Sequence, residues 1–284
     1  MRKVLFAIIC CLSLTVGQSA SAQCTATNTA FKHGETLYYD LYYNWKFVWI
    51  KAGAATMSIT QTQYNGKPAY KTRLITNTEG RVDKFFTMRD TLVSYTDLHL
   101  VPQYYYKGAY EGKTYRQEKV WYSYPHGKCN TKMRYQRVKN EPKWSTHSST
   151  HCAYDMISML IRARSFDPAK YKVGQRIKFL MADGHGCEWQ YIVYRGKSKF
   201  TIENTNTTYK CLVFSFVEQE KGKEKDKKAD ESKKPVYLKK PIIKRLIATV
   251  RIKMNFLERS FSQAFCIMRA EIQSINVIPI KIKT

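Results

Sequence analysis

The chain has 284 residues, of which 44% are hydrophobic and 25% charged, and its formal net charge is +26. That length suits one large β domain or two smaller ones, and 21 Tyr, 13 Phe and 5 Trp favour the half-buried surface of strands. No apolar run of transmembrane length follows residue 22, which argues against a helical integral membrane protein.

Taken in chain order, Arg2 and Lys3 precede an apolar run from Val4 to Val16, and Ala20-Ser21-Ala22 offers small residues for cleavage. Residues 1–22 therefore read as a secretory signal, and the mature protein is expected in the periplasm or cell envelope, beginning near Gln23. Of eight cysteines, Cys10 and Cys11 leave with that signal; Cys24, Cys129, Cys152, Cys187, Cys211 and Cys266 remain. An exported compartment permits disulfides, and sequence cannot rank the pairings. Cys24 invites a lipid anchor, but Gln23 stands where lipoprotein processing expects a small residue, so an ordinary or disulfide cysteine is the simpler reading.

Residues 37–49 alternate. Leu37, Tyr39, Leu41, Tyr43, Trp45, Phe47 and Trp49 share one parity, and Tyr38, Asp40, Tyr42, Asn44 and Lys46 the other, which predicts one long strand with an apolar face. Gly53 breaks it, and a second strand runs from Ala54 to Thr60. Asn65-Gly66 then predicts a hairpin turn, because both residues accept positive φ, with Tyr70–Thr78 returning. Further strands are predicted at Thr91–Tyr95, Gln103–Tyr106, Gln117–Tyr124 and Lys132–Val138, separated by turns at Gly108, Gly112, Pro125 and Gly127.

In Tyr154–Arg164 the period changes: Met156, Ile157, Leu160 and Ile161 recur at helical spacing, with Ser149 or Thr150 as cap and Asp167-Pro168 as stop. One amphipathic helix is thus expected near 152–165, covering a side or end of the sheet. Strands resume at Arg176–Met181, Glu188–Tyr194, Lys199–Glu203 and Tyr209–Val217. The expected domains are a signal at 1–22, an antiparallel β domain at 23–218, a charged low-complexity linker or loop at 219–234 and a basic segment at 235–284. In that last segment Val250, Ile252, Met254 and Phe256 alternate as in a strand. Ile243, Ile247, Val250, Met254, Leu257 and Phe261 equally suit a basic amphipathic helix. Long antiparallel strands joined by short turns suit a mostly β fold curled into a barrel or half-barrel.

Residues 31–39 (FKHGETLYY), followed by Tyr43, Trp45, Ile50, Ala52 and Gly53, resemble the opening of the Domain of Unknown Function 3108 family of exported bacterial proteins. Asp90-Thr91, Leu100-Val101-Pro102, residues 154–160 (YDMISML) and residues 194–197 (YRGK) continue the resemblance, which covers roughly residues 31–217. It implies an exported, mostly antiparallel β protein and brings no catalytic residue or cofactor.

Chemistry is sparse. The chain has no G-x-S-x-G elbow, P-loop, H-E-x-x-H or C-x-x-C. His147, His151, Cys152, His185 and Cys187 are the residue types of a zinc site, but their spacing matches no standard one, so no metal or other cofactor is expected. Glu35, Asp40, Asp83 and Asp90 are the carboxylates available for glycoside cleavage, although Glu35 reads more simply as a structural anchor beside Gly34. No catalytic residue is assigned.

The candidate ligand contacts are Tyr39, Tyr43, Trp45, Phe47 and Trp49, which would line a cavity for an apolar ligand or simply form core. Segment 219–284 carries 17 Lys or Arg against 7 Asp or Glu, and the body of the chain is basic as well, so polyanions are the natural partners. Export argues against nucleic acid among them and leaves lipid, glycolipid or an anionic envelope surface. The leading expectation is a non-enzymatic envelope binding protein for an apolar or amphipathic ligand such as a lipid or glycolipid. A hydrolase or lyase acting on an acidic polysaccharide, and a structural envelope component working through protein partners, are the alternatives.

Overall fold

The computed structural model describes residues 24–45, 48–202, 207–217, 249–253 and 268–270. The linker at 219–234 and most of the segment after it lie outside the described residues. Eight strands follow one another as a meander: β1 (Glu35–Trp45), β2 (Val48–Tyr64), β3 (Lys67–Thr78), β4 (Met88–Asp97), β5 (Pro102–Glu111), β6 (Thr114–Ser123), β7 (Cys129–Arg137) and β8 (Lys143–Ser149). A short helix, α1 (Gly80–Phe85), joins β3 to β4. After β9 (Ala153–Tyr154) comes helix α2 (Met156–Arg164), then β10 (Arg176–Ala182), β11 (Cys187–Ile202), β12 (Thr207–Val217), β13 (Thr249–Lys253) and β14 (Met268–Ala270).

Among the described residues the strands form two sheets. The first has nine strands in the order β13-β1-β2-β3-β4-β5-β6-β7-β8, and the second five in the order β14-β12-β11-β10-β9. The fold is mostly β, as expected, but among the described residues neither sheet closes or curls strongly. The described strands thus form two open sheets, and the expected barrel or half-barrel is not borne out among them. The physical reason is visible in the core: the inner face of the larger sheet is covered by α2 and the second sheet rather than by its own far edge.

Helix α2 is the keystone of that arrangement. Ile157 joins Leu92, Val120, Met133 and Leu180 in one apolar cluster, and Met159 and Ala163 join Phe179, Ile192 and Phe214 in a second. Ile161 joins Phe31, Met57, Ile59 and Leu100 in a third. A helix expected to cover one side of a sheet is thus buried nearly all round, with Met156 as its exposed exception. Its cap is neither Ser149 nor Thr150: the Asp155 carboxylate accepts hydrogen bonds from the Ile157 and Ser158 amides.

The N-terminal segment is fastened across this helix. Cys24 forms a disulfide with Cys152, their Cα atoms 5.5 Å apart. Arg162 Nη1 donates to the Cys24 carbonyl at 2.7 Å, and Arg164 clamps Glu35 through two bonds of 2.6 and 2.7 Å. Among the described residues Cys129 and Cys187 are free.

Local chemistry explains most strand boundaries. Asn65 and Gly66 have φ of 50° and 73°, so Tyr64 pairs directly with Lys67 across a two-residue turn. The run 37–49, however, is not one strand. It is divided between β1 and β2, which pair antiparallel, so that Tyr43 opposes Ile50, Asn44 opposes Trp49 and Trp45 opposes Val48. Gly53 is not a break but lies inside β2, beside a register shift at Leu41/Tyr42. A Cβ there would stand 2.0 Å from the Asn77 carbonyl oxygen, so glycine admits the β3 backbone at this bulge.

The Ser/Thr-rich stretch 143–149 is an unforeseen edge strand, and the strands expected at 188–194 and 199–203 are one strand, β11. Residues 250–253 follow the strand alternative, since β13 pairs antiparallel with β1.

Candidate ligand-binding face

The carboxylates considered for hydrolysis are dispersed and engaged. Glu35 is held by Arg164, Asp40 lies 3.0 Å from Lys51 Nζ, and Asp83 accepts two hydrogen bonds from Arg89 at 2.7 and 2.8 Å. The Arg89 guanidinium and the Thr78 hydroxyl hold the Asp83 carboxyl down at about 2. Asp90 is buried on the inner face of the larger sheet. These four do not converge on a cleft.

The histidines and cysteines considered for zinc are also apart. Cys152 is in the disulfide, the His151 ring meets Trp189 edge-on at 5.2 Å, and the His185 ring lies 3.8 Å from that of Tyr135. The Cys187 thiol sits 3.4 Å from the Thr131 hydroxyl, and His147 opposes Thr131 in the β7–β8 register. Among the described residues no group of three or more His, Cys, Asp or Glu could hold a metal ion.

Of the five aromatic residues singled out in the first hairpin, Tyr39 packs with Leu37 against Met57, Ile59 and Ile161, in the core beneath α2. Tyr43, Trp45 and Trp49 lie in β1 and β2 at the register positions given above, and their side chains, with the whole of Phe47, lie outside the described residues. An open pocket of about 410 Å³ lies elsewhere, lined by His151, Cys152, Lys178, Phe179 and Trp189. Lys178 Nζ stands 4.4 Å over the Trp189 ring.

The outer face of the nine-stranded sheet carries a different array, built by register. Directly opposed residues of antiparallel strands share a face. One such row runs Thr60, Lys71, Tyr95, Tyr104, Trp121, Lys132 and Thr146 across β2 to β8. The adjacent row runs Ser58, Arg73, Val93, Tyr106, Lys119, Arg134 and Trp144. Together they hold five cations, five aromatic rings and no carboxylate. With strands about 4.8 Å apart, each row spans about 29 Å.

The rings touch one another across the sheet. Tyr64, at the end of β2, lies 5.0 Å from Tyr95 and 6.0 Å from Tyr104 between centroids; Tyr104 lies 5.7 Å from Trp121, and Trp121 5.8 Å from Trp144. Cations sit among them: Lys71 Nζ is 5.7 Å from the Tyr95 centroid, Lys119 Nζ 5.9 Å from Tyr106 and Lys132 Nζ 4.8 Å from Trp144. The Tyr106 and Tyr115 hydroxyls meet at 3.1 Å over Gly108, where a Cβ would stand 2.4 Å from the Tyr106 oxygen. Burial, with Tyr115 adding to it, pushes the Tyr106 hydroxyl up to about 12, so it stays neutral at physiological pH.

Sequence reasoning did not find this face. Lys119 and Trp121 do alternate with buried Val120 and Tyr122, but only the pairing register brings Lys71 and Lys132 into line with Trp121.

No curated protein and no solved structure matches the chain. A family model described as "Protein of unknown function (DUF3108)" matches residues 38–256, the span that contains both rows and most of each sheet. This chain belongs to the DUF3108 family.

Proposed function

We propose that this is an exported, non-enzymatic binding protein whose nine-stranded sheet lays its outer face on an anionic amphiphile, the acidic headgroups of a lipid or glycolipid layer. The observation that carries the reading is the double row itself: Lys71, Arg73, Lys119, Lys132 and Arg134 beside Tyr95, Tyr104, Trp121, Tyr106 and Trp144, without a carboxylate. Tyr and Trp rings combine an apolar body with a polar tip and favour the headgroup level of a bilayer. Each Lys or Arg near an anionic surface adds about 1 kcal/mol. The sequence-derived export signal and the basic charge, +26 for the chain with its signal, fit such a partner. The hydrolase alternative gains no support from carboxylates that are separately paired or buried.

The test is flotation of the mature, oxidised protein with vesicles of phosphatidylglycerol or of phosphatidylcholine. Binding is expected to the anionic vesicles only and to weaken with salt, since the screening length falls to about 8 Å at physiological ionic strength. Replacing Lys119 and Lys132 together by Gln removes about 2 kcal/mol, or about 30-fold in affinity. Replacing the exposed Lys139 and Lys170, which lie outside both rows, makes the same change in net charge and is expected to cost much less. Equal losses from the two pairs, or equal binding to both vesicle types, would refute the reading. Failure to bind vesicles together with tight binding of a soluble acidic polysaccharide by the same face would replace the lipid by a glycan.

A further inference from the structure

On the opposite, inner face of the same sheet, five ionisable groups crowd beneath the turn between β10 and β11. Asp90 on β4, Lys107 and Glu111 on β5, and Arg116 and Glu118 on β6 share this face by register, Asp90 and Arg116 both opposing Ala109 and Lys107 opposing Glu118. Arg116 binds Glu111 through two bonds of 2.7 and 2.8 Å, and its Nε lies 3.5 Å from Glu118. Asp90 and Glu118 are 8% and 6% exposed. The turn closes over them: a Cβ on Gly184 would stand 2.7 Å from Glu118 Cβ, so only glycine lets the second sheet approach this closely.

The charges of this cluster do not balance. With every group ionised, three carboxylates face two cations, leaving one negative charge in a largely buried place, which is costly. Asp90 Oδ1 is buried and has no hydrogen-bond donor, and Glu111 stands on the same face two residues from Ala109, the residue opposite Asp90, where its carboxyl acts on that of Asp90. Two ionised carboxylates cannot bond to each other. One proton between them supplies the missing donor and makes the cluster neutral.

We propose that this cluster holds a single proton between Asp90 and Glu111, and that losing it loosens the clasp by which the 183–186 turn joins the two sheets. Two further charges flank the site and offset one another, so the excess of one negative charge stands: Arg137 on β7 opposes Arg116, and Asp183 stands on the turn above. Thr76 on β3 opposes Asp90 and is uncharged. On the turn, the Asp183 carboxylate accepts from the His185 and Gly186 amides, and the His185 ring rests on Tyr135. Burial pushes the Asp90 carboxyl up to about 6, Glu111 adding to the rise while Lys107 and Arg116 oppose it. The sign follows from linkage. The closed state keeps the proton up to about pH 6, whereas an opened, solvated Asp90 gives it up near 3.8. Closure is therefore fully favoured below about pH 4, weakens as pH rises to about 6 and is flat above.

The experiment is amide hydrogen exchange at residues 183–187, corrected for intrinsic rates, from pH 4 to 7 on the full mature protein, with infrared detection of protonated carboxyl groups. The opening equilibrium of the turn is expected to rise by about fiftyfold across that range in the wild type, and to stay flat in Asp90→Asn, which also loses one carboxylic-acid band. Glu111→Gln tests the same balance independently, because it removes one negative charge and gives Asp90 an N–H donor; it is likewise expected to be flat. Asp155, buried on the other side of Ser94, is also pushed up to about 6, so Asp155→Asn identifies its own band. An Asp90 that is ionised at pH 4.5 by infrared, or a wild-type slope that persists in both Asp90→Asn and Glu111→Gln, would overturn the proposal.

Discussion

Replacing Glu35 by Ala tests whether that carboxylate is an anchor or a catalyst. Its partner, Arg164, has a side chain only 6% exposed, against 23% for Glu35. The guanidinium sits 5.7 Å from the Phe31 ring, its Nη2 reaches the Ala30 carbonyl at 3.5 Å, and its Nε has no partner. Removing Glu35 would leave a buried cation with one long hydrogen bond. Breaking a buried pair in this way costs about 3–5 kcal/mol; partial exposure of Glu35 places this case near 3. At about 2–4 °C per kcal/mol for a domain of this size, Tm falls by about 6–12 °C. Thermal unfolding followed by circular dichroism measures it, together with Arg164→Met and the double variant. The double variant should recover much of the loss, because it removes the stranded charge. A loss below about 1 kcal/mol for Glu35→Ala, or strictly additive effects, would refute the anchoring argument.

Reducing the Cys24–Cys152 disulfide, or replacing both residues by Ser, opens a loop with a sequence separation of 128; urea unfolding with and without reductant should show a loss of about 2–5 kcal/mol. Gly53→Ala drives a methyl group into the Asn77 carbonyl, which the 2.0 Å approach forbids, so the β2–β3 pairing must shift and Tm should fall far more than for Ala substituted at exposed Gly66. Asp155→Ala strips α2 of its cap and leaves the Ser94 hydroxyl without its acceptor at 3.0 Å; a loss of about 2 kcal/mol or more is expected by denaturant titration.

The local chemistry of the chain was enough to read most of its elements. Alternation marked β3 to β7, Asn65-Gly66 marked a turn, and helical spacing marked α2. Each of these depends on residues a few positions apart. Where the local signal was equivocal it misled: the alternation at 37–49 continues across a chain reversal, because aromatic residues occupy both arms of the hairpin, and KWSTHSS at 143–149 lacks the apolar face by which an inner strand is recognised.

What only tertiary structure decided is which distant residues meet. Burial of α2 between two sheets, which replaces the expected barrel, follows from Ile157, Met159 and Ile161 each finding a different apolar cluster. The fate of Glu35 depends on Arg164, 129 residues away. Likewise Lys71, Trp121 and Lys132 are ordinary residues of three separate strands until the hydrogen-bond register sets them in one row. A shift of one residue would turn each to the other face. Elements come from short-range backbone preference, whereas the face proposed to bind and the cluster proposed to hold a proton come from pairing across the sheet.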